Sequence, residues 1–226
     1  MLIYVDDILI CFEQEGDEAE ILKTLNQHFE TKDLGDIKNY LGIQIEREEN
    51  GSFLLNQKHK IQEIIETFGM ENAKPVKSPM ETNYLKEMNS QDTLLPTNTQ
   101  YREAIEKLLY LTTATRPDIA ASIGILCRKV SMPSQMDWNA VKPIIPYLKE
   151  TLHYKLKLPV NDVSTLTGYV DADWAGVTSV RKSTIGYLFF QEVLSVGLAD
   201  SSSLLHYLLL KQSTLQQRRQ AKKLYI

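Results

Sequence analysis

A mixed α/β (α+β) fold is predicted by three observations. Short apolar–polar alternations bounded by turn residues occur near the N-terminus and again after Leu156, the pattern of half-buried strands. Between them lie segments whose apolar residues recur every three to four positions, the pattern of amphipathic helices. The stretch from Ala73 to Asn98 carries Pro75, Pro79 and Pro96 and no sustained period, the composition of a connector between two structured regions.

The elements follow in order. Residues 1–12 read as a β-hairpin: Met1-Leu2-Ile3 and Ile8-Leu9-Ile10 are its apolar legs, and Asp6 and Asp7 stand near its tip. Gly16-Asp17 opens a helix whose stripe is Ile21, Leu22, Leu25 and Phe29. Asp33-Leu34-Gly35-Asp36 breaks that pattern. Tyr40 to Glu48 then alternates Leu41, Ile43 and Ile45 against polar neighbours and predicts one half-buried strand. Asn50-Gly51 is a strong hairpin turn, and Ser52 to Asn56 is the returning strand. Ile61, Ile64, Ile65 and Phe68 share one face of the next helix.

Beyond the connector the periodicity predicts three helical segments. Tyr101, Ile105, Leu108 and Thr112 stripe the first. Thr115-Arg116-Pro117-Asp118 opens the second, with Pro117 suited to a first helical turn, and Ile119, Ile123, Leu126 and Val130 form its core face. The third, Gln135 to Leu152, presents Trp138, Val141, Ile145 and Leu148 but also contains Pro143 and Pro146. An interior proline removes a backbone donor and clashes with the preceding turn, at about 3 kcal/mol each. Two in one helix demand an explanation. Leu156 to Leu158, Thr165 to Val170 and Ser183 to Phe190 read as strands; after Phe190 the pattern decays into a tail with helix propensity.

Composition narrows the function classes. The 226 residues suit one or two domains, and 43% apolar with 24% charged residues is ordinary for a globular protein. No apolar run approaches a membrane span, and the N-terminus has neither a basic region nor a small-residue cleavage site. The reading is therefore no membrane partner. Cys11 and Cys127 fit no metal or redox spacing and read as buried small hydrophobes. The net charge of -4 is the wrong sign for a free-standing nucleic-acid binder, and the acids concentrate in the first fifty positions.

The most informative motif is Tyr4-Val5-Asp6-Asp7. Two adjacent carboxylates between apolar strands are costly to bury unless a cation meets them. Aspartate is also an ordinary turn residue, so on composition alone a solvated turn and a metal site stand level.

Four blocks in order give this motif a context. They are Tyr4 to Ile10; Asp33-Leu34-Gly35-Asp36-Ile37-Lys38-Asn39-Tyr40-Leu41-Gly42-Ile43-Gln44-Ile45; Tyr101 to Thr151, with Leu109-Tyr110-Leu111 and Thr115-Arg116-Pro117-Asp118-Ile119; and Gly168 to Gly176 with Arg181 to Tyr187. Together they resemble the Pol polyprotein of copia-type retrotransposons. The first block looks like the catalytic hairpin of the reverse transcriptase palm and the second like the hairpin that seats the primer end. The third is similar to the connection region, and the fourth to the opening strands of RNase H. The resemblance runs from Met1 to about Phe190.

The chemistry this resemblance implies is phosphoryl transfer assisted by two Mg2+ ions about 3.5–4 Å apart, held by hard oxygen ligands. Asp6 and Asp7 match two of three polymerase metal carboxylates, and Asp171 matches the first RNase H metal aspartate. Asp173 reads better as a solvated strand-end residue. Leu41, Gly42 and Ile43 match the primer-positioning turn, acting through the backbone. The implied partners are an RNA/DNA primer–template and other Pol segments.

The chain also departs from the family pattern. The third polymerase aspartate belongs on a palm strand that would precede Met1, and two adjacent carboxylates leave a metal cage open on one side. Pro143 and Pro146 stand where the family has basic or polar residues. The helix that bears the catalytic RNase H glutamate does not follow Phe190. Reading one base out of register, however, Leu204 to Thr214 can encode Thr-Ala-Leu-Ser-Ser-Thr-Glu-Ala-Glu-Tyr, the family's block at that place.

The expected organisation is a palm and thumb remnant over 1–72, a linker over 73–98, a connection region over 99–160, a truncated RNase H-like segment over 161–190, and a frameshifted tail over 191–226. The expected function is a fragment of a reverse transcriptase/RNase H, an RNA-directed DNA polymerase by descent that is inactive alone. The alternative is a non-catalytic remnant that binds nucleic acid or a Pol partner.

Overall fold

The computed structural model describes residues 2–12, 16–81, 84, 92–159, 166–177, 182–191, 194–199 and 220–225; for nearly all residues beyond 165 the description is of the backbone. Helices and antiparallel sheets are mixed in an α+β arrangement.

The N-terminal hairpin forms as its sequence predicts. Strand β1 (Leu2–Tyr4) pairs with β2 (Asp7–Phe12), with Tyr4 opposite Asp7, so Val5 and Asp6 are the two turn residues. Side chains alternate across a strand, and β2 uses both faces. Ile8, Ile10 and Phe12 pack on Ile21, Leu22 and Leu25 of helix α1 (Asp17–Asn26), while Leu9 and Cys11 join a second cluster around Tyr40, Ile45, Phe53 and Leu55. Phe29, expected on the helix stripe, lies beyond the helix end and is exposed.

Asp33-Leu34-Gly35-Asp36 is strand rather than a break: β3 spans Lys32–Asp36, with Gly35 at φ +74 and its amide donating to the Asp33 carboxylate at 2.7 Å. The single strand expected over Tyr40 to Glu48 is a hairpin. Strand β4 (Asn39–Tyr40) turns at Leu41-Gly42 into β5 (Ile43–Arg47), with Tyr40 opposite Ile43. Strand β6 (Phe53–Asn56) returns after Asn50-Gly51, and β7 (Leu156–Leu158) completes this sheet in the order β4-β5-β6-β7.

The helical core lies beside it. Helix α2 (Lys58–Thr67) buries Ile61, Ile64 and Ile65 against α3 (Thr99–Ala114), whose Tyr101, Ile105, Leu108 and Leu111 face inward. A short 3-10 turn (Pro117–Ile119) leads into α4 (Ala120–Cys127). The two prolines cause no interior kink, because the predicted long helix is two. Helix α5 (Gln135–Val141) stops, and α6 (Ile144–Glu150) restarts with Pro143 at its N-cap and Pro146 as its third residue. The amides there have no intrahelical acceptor, so proline forfeits nothing. Helix α5 is capped by a reciprocal box, the Asp137 amide to Ser134 Oγ at 3.2 Å and the Ser134 amide to Asp137 Oδ2 at 2.8 Å. Tyr84, from the stretch between α2 and α3, is buried and donates its hydroxyl to Asp137 at 2.6 Å.

Arg116 is 2% exposed, and its charge is met on several sides. It donates to both Asp118 oxygens at 2.9 and 2.7 Å and to the Thr151 hydroxyl at 2.6 Å, and its guanidinium lies 5.6 Å from the ring centres of Tyr147 and Tyr154. Burial pushes the Asp118 carboxyl up, but the Arg116 bonds and charge outweigh it and hold the group below its ordinary range. This network joins the start of the 3-10 turn to the end of α6.

Three strands follow: β8 (Leu166–Val177), β9 (Lys182–Gln191) and β10 (Leu194–Ala199), in the order β10-β9-β8. In the tail, where helix propensity was noted, Gln220–Tyr225 is strand β11, inserted between β2 and β3 and antiparallel to both. Among the described residues no helix is long and apolar enough to cross a membrane.

Candidate functional site

The candidate residues collect at two tight turns. At the first, the Tyr4–Asp7 hairpin closes through Val5 and Asp6. Val5 is 77% exposed at φ +53, a conformation that a β-branched side chain rarely adopts. Strain of this kind costs on the order of 1–3 kcal/mol and persists only where the surroundings impose it. Here one leg imposes it: β2 is buried from Ile8 to Phe12, whereas Ile3 and Tyr4 of β1 are exposed. Asp6 is exposed and Asp7 half-buried, and on its other side Asp7 faces Tyr225 of β11 in the sheet register.

At the second turn, Leu41 (φ +51) and Gly42 (φ +75) are both left-handed, the geometry of a two-residue hairpin turn that matches strand twist. Glycine fits there; leucine does so under strain. Among the described residues, Val5 and Leu41 are the non-glycine positions with positive φ, one at each candidate site.

Other elements hold the second turn. The Tyr110 hydroxyl, from α3, donates to the Leu41 carbonyl. The Lys60 stem, from α2, passes 3.5 Å from where a side chain on Gly42 would begin. The Lys60 ammonium bonds Glu63 at 2.8 Å, and Lys107 of α3 reaches the same carboxylate at 3.4 Å. Those two lysines hold the exposed Glu63 carboxyl below its ordinary range. Burial raises the Tyr110 phenol, Lys60 pulls it down, and Tyr4 beside the first turn pushes it up.

Leu41, Gly42 and Ile43 therefore come together, as do Asp6 and Asp7. Asp171 lies on β8 in a different sheet, opposite Gly186, and its side chain falls outside the described residues. Asp173 stands opposite Thr184 on the same strand. Among the described residues no group of three or more His, Cys, Asp or Glu side chains is placed to hold a metal ion. Lys60 was not singled out in the sequence, and Tyr110 appeared there only within the Leu109-Tyr110-Leu111 block, with no role of its own. Tyr110 reaches a carbonyl 69 residues away, which no local pattern signals. An open groove of about 700 Å³ is lined in part by Gln44, Asn56, Lys58, His59, Lys149 and His153.

Comparison with known proteins defines the class. The family described as reverse transcriptase (RNA-dependent DNA polymerase) matches residues 1–82. The retrovirus-related Pol polyprotein from transposon TNT 1-94 of Nicotiana tabacum is 38% identical over 199 residues, 84% of this chain and 15% of that protein. The corresponding polyprotein from transposon RE2 of Arabidopsis thaliana is 36% identical over 194 residues, 84% of this chain and 13% of that protein. An uncharacterized mitochondrial protein of Arabidopsis thaliana is 34% identical over 191 residues, 84% of this chain and 78% of its own length. The chain belongs to the reverse transcriptase family, as a relative of the Pol polyproteins of copia-type retrotransposons. It spans about one seventh of the Pol polyproteins it matches. No solved structure matches it.

Proposed function

We propose that this chain carries the carboxylate hairpin and primer-positioning turn of a retrotransposon reverse transcriptase, with RNA-directed DNA synthesis by two-metal phosphoryl transfer as its activity by descent. In this reading Asp6 and Asp7 are two of the metal carboxylates, and Leu41, Gly42 and Ile43 seat the primer end through their backbone. Asp171 is the first carboxylate of an RNase H-like segment. The observation that carries the reading is the pair of strained turns, each with an apolar residue in the left-handed region and each on a family motif.

Asp6 and Asp7 have the oxygen chemistry that Mg2+ prefers, but two carboxylates on one turn do not by themselves fit a pair of ions. The chain alone is therefore inactive, and other Pol segments complete the site. Primer extension with Mg2+ and nucleotides tests this. The expected outcome is no incorporation; incorporation by this chain that disappears in Asp6→Asn would refute it. Residues 191–226 are proposed to be frameshifted, and the coding DNA decides: the alternative register must contain the Ser-Thr-Glu-Ala-Glu-Tyr block. Strand β11 is compatible with such an origin, because strand pairing uses main-chain groups that most sequences supply.

The groove beside α2 favours a second reading, a binding role without catalysis. Lys58, His59 and His153 offer donors to an anionic strand, while Glu46 and Glu150 oppose it. Filter binding of a primer–template across salt concentrations separates the two readings, since phosphate contacts weaken steeply with salt. No retention even at low salt removes this one.

A further inference from the structure

Resting on the primer-positioning reading of the second turn, we propose that Tyr110 is a positioning residue. Its hydroxyl ties the Leu41–Gly42 turn to α3, so that the primer end is presented at a fixed place relative to the Asp6–Asp7 hairpin.

Three features converge on this. A turn with leucine at a left-handed position has no intrinsic preference for its own geometry and depends on outside contacts to keep it. The contacts come from two helices of one packed core: the Tyr110 hydroxyl on the Leu41 carbonyl from α3, and the Lys60 stem against Gly42 from α2. Those helices are cross-linked at the same place, because Glu63 is shared by Lys60 and Lys107, and Lys107 stands one helical turn before Tyr110. Tyr110 is also within electrostatic reach of Tyr4, the last residue before the first turn. A single phenol thus holds the second turn, while its hydroxyl can be removed without disturbing the ring.

The test uses the full chain and a primer–template whose primer ends in a photoreactive nucleotide, at low salt. Tyr110→Phe keeps the ring and deletes the donor. Cross-linking to residues 41–43 should fall about threefold to tenfold, the range for one lost hydrogen bond, with duplex affinity unchanged and the melting temperature lowered by no more than that one bond carries. If Tyr110→Phe cross-links like the parent while Gly42→Val abolishes the cross-link, the turn positions the primer without Tyr110, and the proposal fails alone. If affinity falls in step with cross-linking, or melting falls by much more than one hydrogen bond carries, Tyr110 serves general binding or packing, and the proposal fails. If the parent chain gives no cross-link at 41–43, the primer-positioning reading fails and takes the proposal with it.

Discussion

The two turns solve the same backbone problem in opposite ways. Val5 and Leu41 both occupy left-handed conformations at hairpin tips, yet Val5 projects into solvent at 77% exposure and its turn is held from below by the one buried leg, β2. Leu41 packs against the sheet cluster, and its turn is held from the side by Tyr110 and Lys60. A turn fixed by its own legs keeps its shape wherever those legs go. One fixed by neighbours is instead tied in position to the elements that hold it. The first arrangement suits a hairpin whose tip must stay open to ligands, and the second suits one whose place must be set relative to other parts.

Mutations can break this contrast. The largest effect is expected from Arg116→Ala, which removes the cation at the base of the framework that carries Tyr110. Asp118 then loses its cation and keeps only the Tyr147 hydroxyl of this network, and the Thr151 hydroxyl loses one of its two hydrogen bonds, which should cost about 3 kcal/mol in denaturant unfolding. The pH dependence has a definite sign. The folded Asp118 carboxyl lies below its unfolded value, so its contribution is complete above the unfolded pKa and is lost as pH falls through the folded one. Arg116→Ala should flatten that acid limb. Next comes Ile8→Ala in the buried leg, at about 3 kcal/mol, since Ile8 is fully enclosed between β2 and α1. The smallest effects fall on the tips and should differ in sign. Val5→Gly relieves strain without losing packing and should raise stability by about 1 kcal/mol. Leu41→Gly relieves the same strain but forfeits apolar contact, and should be neutral or destabilising by about 0.5 kcal/mol. Equal gains at both positions in thermal unfolding would erase the distinction between the turns.

How legible these features were depended on how local their causes are. The first hairpin could be read because its apolar legs are interrupted by two aspartates. The second was read from periodicity as one strand because Leu41 is apolar at the turn, so the alternation with Ile43 and Ile45 runs straight through it. Within the local pattern Gly42 alone hinted otherwise, and one glycine in a strand is a weak signal; the hairpin was legible through the family resemblance instead. Pro143 and Pro146 looked like faults in one helix and are first-turn residues of the second of two. Asp6, Asp7, Leu41, Gly42 and Ile43 were accessible as motifs. The roles of Tyr110, Lys60 and Arg116 were not, although Tyr110 and Arg116 lie within quoted motifs, because each acts on partners brought near by packing, or through several partners at once.

Strand β11 bears on how such a chain is made. Phe12 pairs with Gln220, about two hundred residues later, whereas the helical core closes through neighbours in sequence. On a ribosome that delivers residues one by one, α3 to α6 can assemble early, while the inner edge of β2 waits with its amides and carbonyls unmatched. Until Gln220–Tyr225 is made, that edge is open to pairing with the wrong strand, including one from a neighbouring molecule.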